Sequence, residues 1–212
     1  MTGLRERKKQ QTRQLISDVA TGLFLERGFD AVTIAEIAEV ADVSVNTVYN
    51  YFPAKEDLFF DREDEVIDRY SRFVRERTPG QSATRAVLER LRAEVHDRSP
   101  VLGLADGYDR FLTVVRESTA LMARLSLLHY RITESLAATL REESGAAPDD
   151  PRPDLVAQQL IGVHNVVVGG AGRGSLTGLP PDEIAAQMLV RLDEYEALLS
   201  DTVLNYATRP AR

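Results

Sequence analysis

The chain has no cysteine and no tryptophan. Without cysteine there is no disulfide, no thiol nucleophile, no thiol redox sensor and no cysteine-ligated zinc. Histidine is scarce: His96, His129 and His164 stand alone, without a ligand spacing such as HExxH, so no metal site is expected. No apolar run approaches the roughly 20 residues that a membrane-spanning helix needs. The longest aliphatic patch, 166–171, is short and broken by glycine. The basic N-terminus is not followed by an apolar stretch, so a signal peptide and a membrane partner are not expected, and the cytoplasm is the expected location. Period-two alternation is missing too, which argues against sheet and for an all-α chain.

Catalytic constellations are equally hard to find. The carboxylates fall in charged runs, for instance Glu56, Asp57, Asp61, Glu63, Asp64, Glu65 and Asp68, rather than as a pair in apolar surroundings. No enzyme is expected and no cofactor is implied. The stretch VVVGGAGRGSLTG imitates a phosphate-binding glycine loop. It lacks GK[ST], and its glycines are followed by Leu179-Pro180-Pro181 rather than a helix start. It is better read as a helix ending in a loop.

What is present begins with charge. The 212 residues carry a net charge of −7, which weighs against an anionic partner until location is considered. Residues 1–13 hold Arg5, Arg7, Lys8, Lys9 and Arg13 against Glu6 alone. Five cations against one anion make one end of the molecule basic, suited to gripping phosphates.

The chain is organised around residues 33–52, TIAEIAEVADVSVNTVYNYF. Thr33 and Glu36 form a capping box, and Ile34, Ile37, Ala38 and Ala41 mark one apolar face of a short helix. The pattern breaks at Asp42. Ser44 then caps a second helix, with Val48 and Phe52 inward and Val45, Asn46, Thr47, Tyr49, Asn50 and Tyr51 outward. No acid lies on that outward face, as a helix entering a major groove requires. A short helix, a tight turn and a polar second helix make a helix-turn-helix.

The run FLERGFDAVTIAEIAEVADVSVNTVYNYFPAKEDLF resembles the DNA-binding domain of the tetracycline-repressor (TetR) family of bacterial transcription regulators, most specifically in TVYNYFPAKEDLF. The close resemblance covers about the first 60 residues; the rest is similar in length and helical layout to that family's variable sensor domain. Two departures stand out. Asp42 occupies the turn position where the family usually has Gly, and Asp tolerates a left-handed backbone. Ala54 replaces a capping Ser or Asn, which weakens that cap.

Along the chain, helices are expected over about 5–27, ended by Gly28, and from Pro53-Ala54-Lys55 to about Arg77 as one long helix. More follow over 84–98, 108–115, 118–143, 154–170 and 181–206, about nine in all. The division expected is 1–53 for a three-helix DNA-binding domain and 54–212 for a helical ligand-binding and dimerisation domain. Ile184, Met188, Leu192, Tyr195, Leu199, Val203 and Tyr206 recur at steps of three and four. With Val163, Val166, Val167 and Gly170 they would form a seam for a two-fold four-helix bundle.

The resemblance implies a ligand-responsive regulator, most often a repressor, that binds palindromic double-stranded DNA as a homodimer and lets go when a small molecule enters the C-terminal domain. Asn46, Thr47 and Tyr49 are the candidates for base edges, with Val45 against a thymine methyl. Thr33, Ser44, Asn50, Tyr51 and Lys55 are the candidates for phosphates. Tyr108, Phe111, Met122, Leu125, His129, His164 and Asn165 are the candidates for an apolar effector pocket with a few polar anchors. The alternative is a helical protein-binding adaptor that leaves DNA alone.

Overall fold

The computed structural model describes residues 2–211, and among them every regular element is helical. In chain order these are α1 (Thr2–Arg27), α2 (Ile34–Val40), α3 (Val45–Tyr51), α4 (Lys55–Phe59), α5 (Glu63–Arg75), α6 (Ala83–His96), α7 (Tyr108–Glu117), α8 (Thr119–Ser144), α9 (Arg152–Leu176), α10 (Pro181–Leu198) and α11 (Asp201–Leu204). A single 3₁₀ turn, Pro100–Leu102, precedes α7. The described residues thus hold eleven α-helices where about nine were expected, and the surplus comes from two breaks.

The first break divides the expected long helix after Phe52. Phe60, with φ −107° and ψ 48°, ends α4. Its cause lies far away in sequence. Asp61 is held from α1, its carboxylate accepting from Ser17 Oγ at 2.6 Å and its carbonyl accepting from Arg13 at 2.9 Å. The second break, at Leu199, arises because Ser200 caps a new turn by accepting from Val203 N–H.

The glycine run overturns the expectation of a loop: α9 continues through Gly169, Gly170, Gly172 and Gly174 to Leu176. Glycine costs a helix about 1 kcal/mol per residue relative to alanine, so packing must supply the reason. A Cβ on Gly174 would lie 3.1 Å from Ile184 Cγ1, and one on Gly170 would collide with the Arg191 guanidinium. The glycines let α10 lie close against α9.

That close packing also redirects the expected dimer seam. Ile184, Met188 and Leu192 are buried in the single chain, as are Val163 and Val167. Periodicity identified an apolar face correctly, but α9 and α10 cover each other with it.

The chain divides into two compact units. One comprises Met1–Glu63 with Arg110–Ser126, the other Asp64–Asp109 with Leu127–Arg212. The first, the head, is built on a core of Ile16, Ala20, Phe24, Phe29, Ile37, Val48, Phe52 and Leu58, to which Val114, Val115 and Leu121 are added from the later segment. Leu15, next to buried Ile16 on α1, is half exposed. The second unit, the body, buries Tyr70, Leu88, Leu91, Leu102, Leu136 and Leu140 completely or nearly so.

Candidate nucleic-acid interface

The geometry of α2, the turn and α3 follows from three caps. Thr33 Oγ1 accepts from Glu36 N–H, and the Glu36 carboxylate accepts from Thr33 N–H at 2.8 Å, completing a capping box. Arg27 pairs with the same carboxylate at 2.8 Å. Hydrogen bonds from Arg27 first, and from Thr33, hold the Glu36 carboxyl down to about 2. At the turn Asp42 adopts φ 53°, a left-handed conformation, and Val43 N–H closes back on the Ala38 carbonyl at 2.9 Å. Ser44 then caps α3, its hydroxyl accepting from Thr47 N–H at 3.0 Å. Ala54, by contrast, offers α4 no side-chain cap; the Asp57 carboxylate compensates by accepting from Ala54 N–H at 2.9 Å.

Because Val48 and Phe52 are fully buried, the rest of α3 has its direction set for it. Val45, Asn46, Tyr49 and Asn50 are exposed, while Thr47 and Tyr51 are half-buried. No acid lies between Asp42 and Glu56, so this face offers donors, acceptors and a methyl surface without a carboxylate to repel phosphate.

Several of the candidate polar groups are already engaged within the head. Thr33 Oγ1 donates to Glu36 Oε2 at 2.8 Å, so its one O–H is committed within the cap. Ser44 Oγ and Thr47 Oγ1 lie 2.8 Å apart, one donating to the other. Two hydroxyls joined in this way leave a single O–H for a partner. Lys55 donates from Nζ to the Phe29 carbonyl at 2.6 Å and lies over the Phe29 and Phe24 rings. Partial burial pushes its pKa below the usual lysine value.

Contacts that sequence reading missed brace the head. The Arg13 guanidinium lies 4.7 Å from the centre of the Phe52 ring, tying α1 to the end of α3. Ser118 donates to Asp30 at 2.9 Å. Arg124 pairs with both Asp57 and Glu63 at 2.6 Å, clasping the ends of α4 and α5 on either side of their break. Asp57, Asp61 and Glu63 were read as part of a charged, solvated run, and no local signal separated these three from Asp64 and Glu65.

The seven effector candidates fall into both units. In the head, Phe111 stacks on Phe59 with ring centres 4.7 Å apart, Leu125 packs against the same core, and Met122 is exposed. In the body, the Tyr108 ring lies flat against Gly103, whose φ of 77° and missing side chain make room for it, and Asn165 is exposed. Burial lowers the pKa of His129. His164 accepts at Nδ1 from Tyr70 Oη, the two atoms 2.5 Å apart. The direction follows from Arg69, which donates to Tyr70 Oη at 3.2 Å while paired with Glu94, so the phenol proton points at the imidazole. Burial, then the Arg69 charge, bring the His164 pKa down to about 3.

Residues 16–61 match the family model described as "Bacterial regulatory proteins, tetR family". The chain is 40% identical to the HTH-type transcriptional regulator LuxR of Vibrio harveyi over 62 residues, 29% of this chain and 30% of that protein. It is 26% identical over 174 residues to the HTH-type transcriptional regulator TcmR of Streptomyces glaucescens, 78% of this chain and 75% of that one. Among solved structures, the SmeT–triclosan complex superposes with a TM-score of 0.60 at 18% identity, covering 95% of this chain and 98% of that one, which shows a shared fold.

Proposed function

This chain belongs to the TetR family of bacterial regulatory proteins, and from that premise we propose that it is a ligand-responsive transcriptional repressor. It binds a palindromic operator as a homodimer in the cytoplasm and releases it when a small molecule binds in the C-terminal domain. The observation that carries the DNA reading is the acid-free, exposed face of α3, fixed in direction by buried Val48 and Phe52. Val45, Asn46, Thr47 and Tyr49 meet base edges. Asn50, Tyr51, Lys55 and the capped ends at Thr33 and Ser44 meet phosphates.

The second copy docks on the surface that α9 and α10 leave open. Leu155, Val166 and Leu176 on α9 and Val190 and Leu198 on α10 are exposed large apolar residues, with Val190 at 58% and Leu198 at 78%. An apolar surface of this kind in a single chain is where a partner belongs. Two-fold symmetry then presents two α3 helices to successive major grooves, about 34 to 36 Å apart. Effector binding favours a state in which that spacing is wrong.

Selection of bound duplexes from a random DNA pool tests the reading. Wild-type protein recovers a palindrome, and Tyr49→Ala loses it. Enrichment of no sequence, together with an affinity for random DNA that shows no salt slope, would sink the proposal in favour of a protein-binding adaptor.

A further inference from the structure

Polar bonds hold α5 in the body, and one of them leaves a donor without an acceptor. Arg69 pairs with Glu94 of α6, Ser71 Oγ and Ser135 Oγ of α8 lie 3.0 Å apart, and Tyr70 Oη reaches Nδ1 of His164 on α9. Tyr70 is almost completely buried, and its ring meets the imidazole edge to face with 5.5 Å between centres. This bond settles the tautomer of His164. Arg69 donates to Tyr70 Oη, so the phenol O–H is given to Nδ1, and a neutral imidazole that accepts at Nδ1 carries its own hydrogen on Nε2.

That Nε2–H has no acceptor among the described residues. The ring of His129 on α8, close enough for its charge to weigh on His164, has no hydrogen-bond partner among them either. A guest can reach both: each residue is only half-buried, and their ring nitrogens are not sealed off as Arg77 Nε is. Charge around the pair is already balanced. Arg69 is committed to Glu94, and burial lowers both imidazole pKa values, so both rings are uncharged at neutral pH. A carboxylate or an ammonium taken in here would lose its hydration with no free opposite charge to replace it. An uncharged oxygen loses little, because the waiting N–H replaces the water it gives up.

We infer that the effector is an uncharged molecule with a hydrogen-bond-accepting oxygen, a ketone or an ester rather than a carboxylate, which accepts from His164 Nε2 while His129 supplies a second contact. This rests on the ligand-responsive reading above and names the chemical class of its ligand. Tyr70 is a positioning residue here: it touches the imidazole rather than the guest and fixes which nitrogen donates. Because Tyr70 belongs to α5 and His164 to α9, the guest bonds to a ring that both helices hold.

The test uses full-length protein with isotope-labelled histidine and three probes of similar size: acetophenone, benzoate and ethylbenzene. In the free protein, nitrogen NMR shows His164 as the Nε2–H tautomer, and Tyr70→Phe mixes the two tautomers. Acetophenone moves the His164 Nε2 resonance saturably, while benzoate and ethylbenzene bind about tenfold more weakly, as expected for one hydrogen bond. His164→Gln, whose amide N–H stands near the place of Nε2, keeps acetophenone binding; His164→Leu and Tyr70→Phe lose it by a similar factor. On the selected operator, acetophenone lowers the affinity of wild-type protein and not of His164→Leu. No saturable shift, ethylbenzene or benzoate binding as tightly as acetophenone, or His164→Leu binding acetophenone like wild type would overturn the inference. So would bound acetophenone that leaves operator affinity unchanged. Release of the operator by a compound that leaves the His164 resonance unmoved would overturn it while leaving the regulator reading intact. Wild-type protein that recovers no palindrome would overturn the regulator reading and, with the NMR shifts as expected, leave a ligand site at His164.

Discussion

Lys55 Nζ and the carbonyl oxygen of Phe29 are 2.6 Å apart, a bond that staples the start of α4 to the turn between α1 and α2. The ammonium therefore has a structural duty beside any contact with phosphate. Lys55→Met keeps the aliphatic stem and removes the charged donor, worth roughly 1.5–3 kcal/mol. The expected result is a lower midpoint in urea unfolding with an unchanged slope. An unchanged midpoint would show that the bond contributes nothing to stability.

Ser44 and Thr47 should behave as one unit. Ser44→Ala removes a cap worth about 1 kcal/mol and also the partner of the Thr47 hydroxyl. In a double-mutant cycle with Thr47→Val, DNA affinity should fall by less than the sum of the single losses, since the pair offers a single O–H. Strict additivity in binding would mean that the two hydroxyls act independently.

His164 makes the body acid-sensitive. Its pKa is depressed from 6.5 to about 3 in the folded protein, so between those values the unfolded chain binds a proton that the folded one refuses. Stability is complete above pH 6.5 and declines as the pH falls toward 3, by about 1.4 kcal/mol per pH unit from this one residue. Melting curves from pH 7 to 4.5 should show a shallower acid decline for His164→Gln than for wild type. Parallel declines would place the acid sensitivity elsewhere.

Gly170 and Arg191 can be separated by a pair of variants. In Gly170→Ala the new methyl displaces the far end of a flexible arginine, while the helix gains up to about 1 kcal/mol of propensity. The single substitution should be near neutral. Added to Arg191→Ala, it should raise the melting temperature above that of Arg191→Ala alone. A fall there would mean that backbone, rather than the guanidinium, sets the limit on α9–α10 approach.

What could be read from the sequence was local in origin. The capping box at Thr33, the Ser44 cap and the left-handed Asp42 each depend on residues within a few positions of one another, so the helix-turn-helix was legible. The α4–α5 break was not, because Asp61 is captured by Ser17 and Arg13, more than forty residues earlier. The continuation of α9 through its glycines was hidden for the opposite reason: propensity pointed to a loop, and the packing of Ile184 and Arg191 overrode it. The α10 seam shows a third limit, since periodicity finds an apolar face without saying what will cover it. Phe111 and Leu125, read as pocket residues, carry the same ambiguity and are packed on the head core.

The head is discontinuous in the chain, and this bears on its biosynthesis. Residues 1–63 leave the ribosome first, yet Val114, Val115 and Leu121, which complete their core, emerge about fifty residues later. At 5–20 residues per second the nascent head waits several seconds with part of its apolar surface uncovered. A stalled chain long enough to expose residue 63 but not residue 114 should therefore be degraded more readily by protease than one long enough to expose residue 126.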